Sequence, residues 1–312
     1  MIDRNGIADA LERIAPHIRT TPVLELEKGA FGLNGRLTLK LEFLQVTGSF
    51  KPRGAFNRLL SHEIPSSGVI AASGGNHGIA VAHAARRLGV KATIFVPTIA
   101  APAKLRAIRD TGADVAVTGA TYAEALAASA IRAETSGALV VHAYDQPEVV
   151  LGQGTVGLEL RRQAPDLDSV LVAVGGGGLI AGMALAYQGS GTRVIGVEPN
   201  LAPTLHDALA AGRPVPVAVS GIAADSLGAR EAGGLACEIA QAQALRVLLV
   251  EDDAIQAAQR ALWRELRILV EPGGAAALAA LLCGAYPIEA GERVGVVLCG
   301  ANTDPAGFAP RP

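Results

Sequence analysis

The sequence has few cysteines, few aromatic residues and no excess of one charge. Its three cysteines, Cys237, Cys283 and Cys299, form no Cys-x-x-Cys pair, which excludes a disulfide framework and a zinc site of that type. Aromatic residues make up 4% of the chain and the formal net charge is −2. Nucleic-acid-binding proteins need stacking rings or basic patches, and anionic membranes attract basic surfaces. We therefore expect neither nucleic acid nor membrane as a partner.

Long apolar runs are also missing. No stretch approaches the roughly 18 uninterrupted apolar residues of a membrane span. Residues 1–18 have the pattern of an amphipathic helix and lack the apolar core of a signal peptide. These absences predict a cytoplasmic protein. Glycine, in contrast, is abundant at 37 of 312 residues, against a usual share of about 7%, which favours a compact fold with close backbone approaches.

Short runs rich in β-branched residues alternate with alanine-rich helical patterns along the chain. Apolar strands that alternate with helices indicate open parallel sheets covered by helices on both faces. The strands fall into one group between residues 68 and 143 and another between 169 and 300. The predicted strands are 36–42, 68–73, 91–97, 114–119, 138–143, 169–176, 192–198, 246–251 and 293–300.

A run of four glycines, Gly175–Gly178, follows one predicted strand and precedes a predicted helix. Backbone N–H groups and the helix dipole at such a loop favour a phosphate group. The same segment allows a second interpretation. Gly176, Gly178 and Ala181 fit the G-x-G-x-x-A fingerprint, with Glu198 twenty residues after Gly178. That spacing is typical of a nicotinamide-dependent oxidoreductase.

Two further segments contain residues suited to chemistry. Lys51 precedes Pro52, a residue suited to the first position of a helix, and it has few acidic neighbours. A desolvated lysine has a lowered pKa and can act as a nucleophile or base, whereas the alternative is a solvated surface lysine. The loop of residues 72–78 again joins a strand to a helix, so its N–H groups could hold a carboxylate. In this loop Asn76 offers a two-way hydrogen-bonding amide, and His77 is either an acid or base or a packed histidine.

Read together, these motifs resemble the serine/threonine dehydratase branch of the fold-type II pyridoxal phosphate enzymes, a tryptophan synthase beta-like family. The resemblance implies two open, mostly parallel three-layer α/β domains with the cofactor in the cleft between them. We assign residues 1–58 and 147–312 to a large cofactor-binding domain and residues 59–146 to a small domain. The motifs are SFKPRGA (49–55), SGGNHG (73–78), GQGTVGLE (152–159), GGGG (175–178), GVEP (196–199), AADSLGA (223–229), VEPGGAAALAAL (270–281) and VVLCGANTD (296–304).

The resemblance also implies a role for each matching residue. Lys51 would hold pyridoxal phosphate as a Schiff base and serve as the catalytic base. Phe50 would pack against the cofactor ring, Asn76 would bind its phenolic oxygen, and Cys299 would lie opposite its pyridine nitrogen. The phosphate would bind to Gly175, Gly176, Gly177 and Gly178, and the substrate carboxylate to Ser73, Gly74, Gly75, Asn76 and His77.

Two of these positions bear on the reaction. A neutral thiol at Cys299 is a weak donor, so the pyridine nitrogen need not be protonated, which favours elimination over transamination. Serine racemases of similar sequence have a serine where this chain has Gly74. The sequence therefore predicts a lyase that converts L-threonine and/or L-serine to 2-oxobutanoate or pyruvate plus ammonia. Racemisation, dehydration of another 3-hydroxy amino acid such as 3-hydroxyaspartate, and non-catalytic cofactor binding stay open as alternatives.

The resemblance implies three further properties. Relatives bind a cation with residues matching Glu198, Ala202 and Thr204, and a threonine at the last place favours a monovalent ion such as potassium. The partner is a small-molecule amino acid, and the assembly is a homodimer or homotetramer. Biosynthetic threonine deaminases of this branch have an additional C-terminal regulatory domain, and the 312 residues leave no room for one, which favours amino-acid catabolism.

Overall fold

The structure is a computed structural model, and it describes residues 2–98, 100 and 102–305. The strands are β1 Val23–Glu25, β2 Arg36–Lys40, β3 Val69–Ala72, β4 Ala92–Val96, β5 Asp114–Val117, β6 Leu139–Val140, β7 Ser169–Ala173, β8 Arg193–Pro199, β9 Arg246–Val250 and β10 Arg293–Val297. The α-helices are α1 Arg4–Ile14, α2 Lys51–Leu60, α3 Asn76–Leu88, α4 Pro102–Arg109, α5 Tyr122–Ser136, α6 Pro147–Gln163, α7 Gly178–Tyr187, α8 Thr204–Ala211, α9 Ala224–Leu227, α10 Gly234–Ala242, α11 Asp252–Leu266 and α12 Pro272–Leu282. None of the helices in these ranges is both long and apolar enough to cross a membrane.

The larger sheet has six strands in the order β1-β2-β10-β7-β8-β9. All neighbours from β2 to β9 pair in parallel, whereas β1 pairs antiparallel with β2 at the edge. Every residue of β7 is buried, and a parallel strand is buried along its whole length only when both faces are covered. Strand β1 was not predicted, because three residues are too few to show an alternating pattern.

The smaller sheet has four parallel strands in the order β5-β4-β3-β6. Along β3, Val69 and Ala71 belong to one hydrophobic cluster, and Ile70 and Ala72 belong to another. The first cluster contains residues of α3 and the second contains residues of α5. Since successive strand residues point to opposite faces, helices cover this sheet on both sides. The predicted three-layer arrangement is confirmed here.

Helix α2 connects the two halves of the molecule. Ala55 and Phe56 on this helix pack into the same cluster as α3, beneath the smaller sheet. On another side α2 meets α6, where a Cβ at Gly152 would lie 2.7 Å from the Cα of Gly54. Only glycines permit so close an approach of the two helices. The domain boundaries at residues 58/59 and 146/147 stay a prediction.

A buried group of charged side chains also holds α2. The guanidinium of Arg53 forms two hydrogen bonds with Glu42, at 2.6 and 3.0 Å, and two with Glu159, at 2.7 and 2.9 Å. The amine of Lys40 donates to Glu159 at 2.8 Å. Arg53 and Lys40 are fully buried. Two cations therefore balance two carboxylates and tie α2 to α6 and to the end of β2.

Candidate active site

A cavity of about 500 Å³ lies between the ends of the two sheets. Segments that follow strands β3, β6 and β7 contribute to its wall, as expected for a ligand site at the carboxyl ends of parallel strands. The lining residues are Lys51, Ser73, Gly74, Gly75, Asn76, His77, Pro97, Ala100, Tyr122, Ala143, Tyr144, Gly175, Gly176 and Ala224 to Ala229. The structure thus brings together the three segments that the sequence singled out.

Lys51 lies at the start of helix α2, and Pro52 occupies the second position. The helix begins one residue earlier than the proline pattern predicts. The Nζ atom donates a 2.8 Å hydrogen bond to the carbonyl oxygen of Ala143 and lies 5.0 Å from the centroid of the Phe50 ring. Removal from water lowers the pKa of Lys51 from 10.5 to about 8, although the charge of Glu271 opposes this shift. A substantial fraction of this amine is therefore neutral near pH 8.

The glycine run forms a tight turn between β7 and α7. Gly177 has a φ of +90°, which favours glycine, and a Cβ on Gly176 would enter the ring of Tyr144. The carbonyl oxygens of Gly175 and Gly176 accept hydrogen bonds from Thr204 Oγ1 at 2.5 Å and from Gly233 N at 3.0 Å. The first N–H groups of α7 have no acceptor within the helix. This end of the cavity is therefore suited to an anion such as a phosphate.

The loop of residues 73–77 connects β3 to helix α3, which begins at Asn76. Two backbone N–H groups of the loop have protein acceptors: that of Ser73 donates to the carbonyl oxygen of Phe95 at 3.0 Å, and that of Gly75 donates to Ser73 Oγ at 3.1 Å. The first N–H groups of α3 have no acceptor within that helix, and the helix dipole favours a negative charge beside them. The loop is therefore suited to a substrate carboxylate.

His77 in this loop is buried, and its Nε2 lies 2.9 Å from the carbonyl oxygen of Val141, which can only accept. Burial, together with the charge of Lys51, lowers the pKa of His77 to about 3. The imidazole is consequently neutral at ordinary pH. Of the two interpretations that the sequence left open, this geometry favours a packed histidine over an acid or base.

Cys299 follows strand β10, and main-chain contacts hold its segment against the residues before Lys51. The N–H of Phe50 donates to the carbonyl oxygen of Cys299 at 3.1 Å, and Ser49 pairs with Gly300. Burial raises the pKa of the Cys299 thiol, and nearby Glu271 adds to the shift. The thiol is therefore neutral, and its Sγ lies 3.5 Å from the carbonyl oxygen of Gly273.

Two residues beside the cavity were missed by the sequence analysis. Asn76 Nδ2 donates to Glu271 Oε1 at 2.7 Å, and Asn76 Oδ1 accepts from Asn302 Nδ2 at 2.7 Å. Both Glu271 and Asn302 lie within motifs that carry the family resemblance, at 270–281 and 296–304. Their position in these motifs was the signal that the sequence offered. Their contacts themselves could not be foreseen, because they join residues that are distant in sequence.

The outer wall of the cavity is aromatic and apolar. Tyr144 packs edge-on against His142, with ring centroids 4.6 Å apart, and its hydroxyl donates to the carbonyl oxygen of Glu231 at 3.2 Å. Tyr122, Pro97 and Ala100 also line the cavity. Among the described lining residues, Lys51 and Asp225 carry the formal charges, since His77 is neutral.

Glu198 lies outside the cavity, and the first turn of helix α8 donates hydrogen bonds to its carboxylate. Oε1 accepts from Leu205 N at 2.8 Å and lies 2.6 Å from Thr204 Oγ1, and Oε2 accepts from His206 N at 2.9 Å. Burial raises the pKa of Glu198 to about 7. This carboxylate is fully buried and is not available to a ribose hydroxyl, which removes the residue on which the nicotinamide interpretation depended.

The same contacts bear on the predicted cation. The carbonyl oxygen of Ala202 accepts from Thr204 N at 3.0 Å, so protein donors contact oxygens of both Glu198 and Ala202. In the described ranges, no group of three or more His, Cys, Asp or Glu side chains is arranged to hold a metal. Nothing in this geometry requires a cation, and the potassium site stays a prediction.

Comparison with known proteins identifies close relatives along the whole chain. The L-threonine ammonia-lyase of Geobacter sulfurreducens is 41% identical over 308 residues, which cover 97% of this chain and 76% of that protein. The phenylserine dehydratase of Ralstonia pickettii is 38% identical over 312 residues, covering 98% of this chain and 95% of that protein.

Solved structures show the same architecture. The crystal structure of a threonine deaminase from T.th. matches with a TM-score of 0.91 at 37% identity, covering 99% of this chain and 100% of that one. The structure of maize serine racemase matches with a TM-score of 0.92 at 32% identity, covering 98% and 95%. These likenesses confirm the predicted fold class. A sequence profile described as pyridoxal-phosphate dependent enzyme matches residues 14–300, and the chain belongs to this family of pyridoxal phosphate enzymes.

Proposed function

We propose that the protein is an ammonia-lyase that converts L-threonine and/or L-serine to a 2-oxo acid and ammonia by α,β-elimination. The observation that carries this proposal is a lysine amine with a lowered pKa, between an anion-binding glycine loop and a loop suited to a carboxylate. The names of the ammonia-lyase from Geobacter sulfurreducens and of the threonine deaminase from T.th. support the same reaction.

The residues of the cleft fit pyridoxal phosphate. The glycine loop has no side chain where the phosphate would bind, and a Cβ there would collide with Tyr144. We propose that Gly175–Gly178 hold the phosphate, Lys51 the aldehyde carbon, Asn76 the phenolic oxygen and Phe50 one face of the ring. Cys299 would contact the pyridine nitrogen as a neutral thiol. When bound, this cofactor withdraws electrons and makes the Cα proton of an amino acid acidic.

The residues of the chain then divide the remaining work. The loop of residues 73–77 would bind the substrate carboxylate, chiefly through the N–H groups at the start of α3, and would fix the direction of the Cα–H bond. The substrate's amino group would replace Lys51 at the aldehyde carbon, and the freed amine of Lys51, whose pKa burial lowers to about 8, would remove the Cα proton. The β-hydroxyl leaves with a proton as water, and hydrolysis of the dehydrated amino acid gives the 2-oxo acid and ammonia. L-Threonine thus gives 2-oxobutanoate, and L-serine gives pyruvate.

Gly74 favours elimination over racemisation. A racemase needs a proton donor on the face of Cα opposite the base, and Gly74 has no side chain to supply one. A Cβ at this position would lie 3.0 Å from Val96 Cγ1 and 3.2 Å from Ala100 Cβ, so the neighbouring residues leave little room for a longer side chain. We therefore expect L-serine to yield pyruvate and no D-serine.

The test of this function is the release of 2-oxo acid from L-threonine and L-serine by the purified holoenzyme. Lys51→Ala provides the catalytic control, and bound cofactor is quantified in both proteins. Turnover by the wild type that Lys51→Ala abolishes supports the proposal. A wild type that retains cofactor and releases no 2-oxo acid from either substrate contradicts it and favours the non-catalytic alternative.

A second candidate substrate is a 3-hydroxy amino acid with an aryl side chain. The aromatic and apolar wall formed by Tyr122, Tyr144, Pro97 and Ala100 supports this class, as does the likeness to the phenylserine dehydratase. The wall gives no comparable support to 3-hydroxyaspartate, because Lys51, the cation of the described lining, is assigned to the cofactor. The ratio of kcat/KM for L-threo-3-phenylserine and L-threonine decides between the two.

We also propose the setting in which the enzyme works. It would be a homodimer or homotetramer in the cytoplasm, with a small domain of residues 59–146 on a large domain of the remaining residues. The family resemblance supports the assembly, and the separate four-stranded sheet supports the division. Sedimentation analysis tests the assembly, and limited proteolysis tests the boundaries at 58/59 and 146/147.

A further inference from the structure

Three side chains form a hydrogen-bonded chain beside the cavity. Asn302 Nδ2 donates to Asn76 Oδ1 at 2.7 Å, and Asn76 Nδ2 donates to Glu271 Oε1 at 2.7 Å. Asn302 Nδ2 also donates to the carbonyl oxygen of Thr47 at 2.8 Å. Glu271 is 5% exposed, so water competes little for these contacts.

These hydrogen bonds permit only one orientation of the Asn76 side-chain amide. The carbonyl oxygen of Thr47 can only accept a hydrogen bond, so the Asn302 atom that faces it must be the nitrogen. The two hydrogens of that nitrogen are donated to Thr47 and to Asn76. The atom of Asn76 opposite it must therefore be the oxygen. At the other end an ionised Glu271 can only accept, so the atom opposite it must be nitrogen. A reversed amide would set two donors together at one end and two acceptors at the other.

The surrounding backbone is built around the same contacts. A Cβ on Gly300 would collide with the carboxylate of Glu271 and would lie 3.4 Å from Asn76 Nδ2. Thr47, in the turn just before Lys51, has a φ of +66°, a backbone conformation that residues other than glycine rarely adopt. Asn302 therefore contacts both the amide of Asn76 and the turn that leads into the lysine.

We propose that Asn302 and Glu271 are positioning residues that fix the Asn76 amide so that its remaining N–H is held for an acceptor in the cleft. This inference rests on the proposed function, in which that acceptor is the phenolic oxygen of the cofactor. One hydrogen of Asn76 Nδ2 is used by Glu271, and the other is the donor that the cofactor contact needs.

Asn302→Asp tests the proposal, because it places an acceptor opposite the oxygen of Asn76. Three properties are measured: the dissociation constant of the apo protein for pyridoxal phosphate, from the visible absorbance of the bound cofactor; the thermal unfolding of the apo protein; and kcat and KM. We expect the cofactor affinity to fall on the order of tenfold to a hundredfold. Asn302→Ala, measured in parallel, removes the donor without adding a charge and keeps the test available if the aspartate prevents folding.

A matched control lies outside the cleft. Asn200 Nδ2 donates to Glu251 Oε1 at 2.9 Å in an exposed pair of the same chemistry. We expect Asn200→Asp to leave cofactor affinity and kcat at the wild-type values. Cofactor affinities of both Asn302 variants that equal the wild-type value would overturn the proposal.

The double variant Asn302→Asp with Glu271→Gln separates positioning from a merely structural role. The introduced carboxylate can accept from Asn76, and the introduced amide can donate to it, so a reversed Asn76 amide is again paired at both ends. Because Glu271 also acts on the pKa of Lys51, Glu271→Gln alone is the reference for cofactor affinity. We expect the unfolding temperature of the double variant to recover in part, while its cofactor affinity stays below that of Glu271→Gln. Recovery of both together would show a structural role and overturn the proposal. Failure of the proposed function would be seen separately, as an absence of turnover in the wild type.

Discussion

The side-chain amine of Lys51 donates a 2.8 Å hydrogen bond to the carbonyl oxygen of Ala143, the third residue after strand β6 of the smaller sheet. Helix α2, which begins with Lys51, is tied to the end of β2 in the larger sheet through the buried Arg53 group. The amine therefore lies where segments from the two sheets meet.

The pKa of Lys51 predicts how the apo protein takes up its cofactor. Only the neutral amine attacks an aldehyde, and burial lowers the pKa of Lys51 to about 8. We expect the rate of covalent uptake of pyridoxal phosphate to rise with pH and to level off above a midpoint near 8. Stopped-flow absorbance on the apo protein measures this rate, and a midpoint near the ordinary lysine value of 10.5 would contradict the account.

The lowered pKa of Lys51 also makes the stability of the folded apo protein depend on pH. The folded apo protein releases the Lys51 proton near pH 8, whereas the unfolded chain keeps it up to about 10.5. Between these values the unfolded state binds more protons, so this contribution to stability rises with pH. Lys51→Met should remove the contribution, which denaturant unfolding at pH 8 and pH 10 measures.

Gly176 should tolerate no side chain. A Cβ there would overlap the Tyr144 ring and force that ring to move in the cavity wall. We expect Gly176→Ala to weaken cofactor binding by tenfold or more, as measured by absorbance titration. Gly234 is a matched control, since a Cβ there would have its nearest neighbour, Asp145 Oδ2, at 3.8 Å. Equal cofactor affinities of the two variants would contradict the proposed role of the loop.

His77 predicts a loss of stability in acid. Its pKa is about 3 in the folded protein and 6.5 in a model chain, so below pH 6.5 the unfolded state binds a proton that the folded state does not. Stability should therefore fall as pH falls from about 6.5 to about 3. We expect His77→Gln to flatten this dependence in urea unfolding curves. A pH dependence as steep in His77→Gln as in the wild type would contradict this assignment.

Much of the fold was predictable from local patterns. Each of the nine predicted strands is present. Central strands such as β3 and β7 were recognisable because a strand covered on both faces shows as a continuous apolar run. The site residues at strand ends could also be predicted, because glycine loops that follow strands are easily recognised in a sequence. Strand β1 was missed because its three residues form no pattern, and it is held by pairing with β2.

The parts of the site that local patterns could not reveal are long-range pairs. Asn76 contacts Glu271 across 195 positions and Asn302 across 226. No periodicity links such residues, because only the tertiary fold brings them together. The role of Glu198 was also hidden from local patterns. Its spacing from Gly178 fits a dinucleotide site, yet its carboxylate is buried and accepts hydrogen bonds from helix α8.

The buried charges around Arg53 should contribute strongly to stability. Removing one member leaves a carboxylate buried without its partner, so we expect Arg53→Met to lower the free energy of unfolding by about 3–5 kcal/mol. Arg264 forms a comparable pair with Glu265 at the surface, where its side chain is 72% exposed. Arg264→Met should cost less than about 1 kcal/mol. Guanidinium unfolding measures both, and similar losses for the two variants would contradict this assignment.

The most direct test of the proposed function is the release of 2-oxo acid from L-threonine and L-serine by the holoenzyme, with chiral analysis of the remaining amino acid. We expect 2-oxobutanoate and pyruvate, no D-serine, and no turnover by Lys51→Ala. Accumulation of D-serine without pyruvate, or turnover that survives Lys51→Ala, would contradict it.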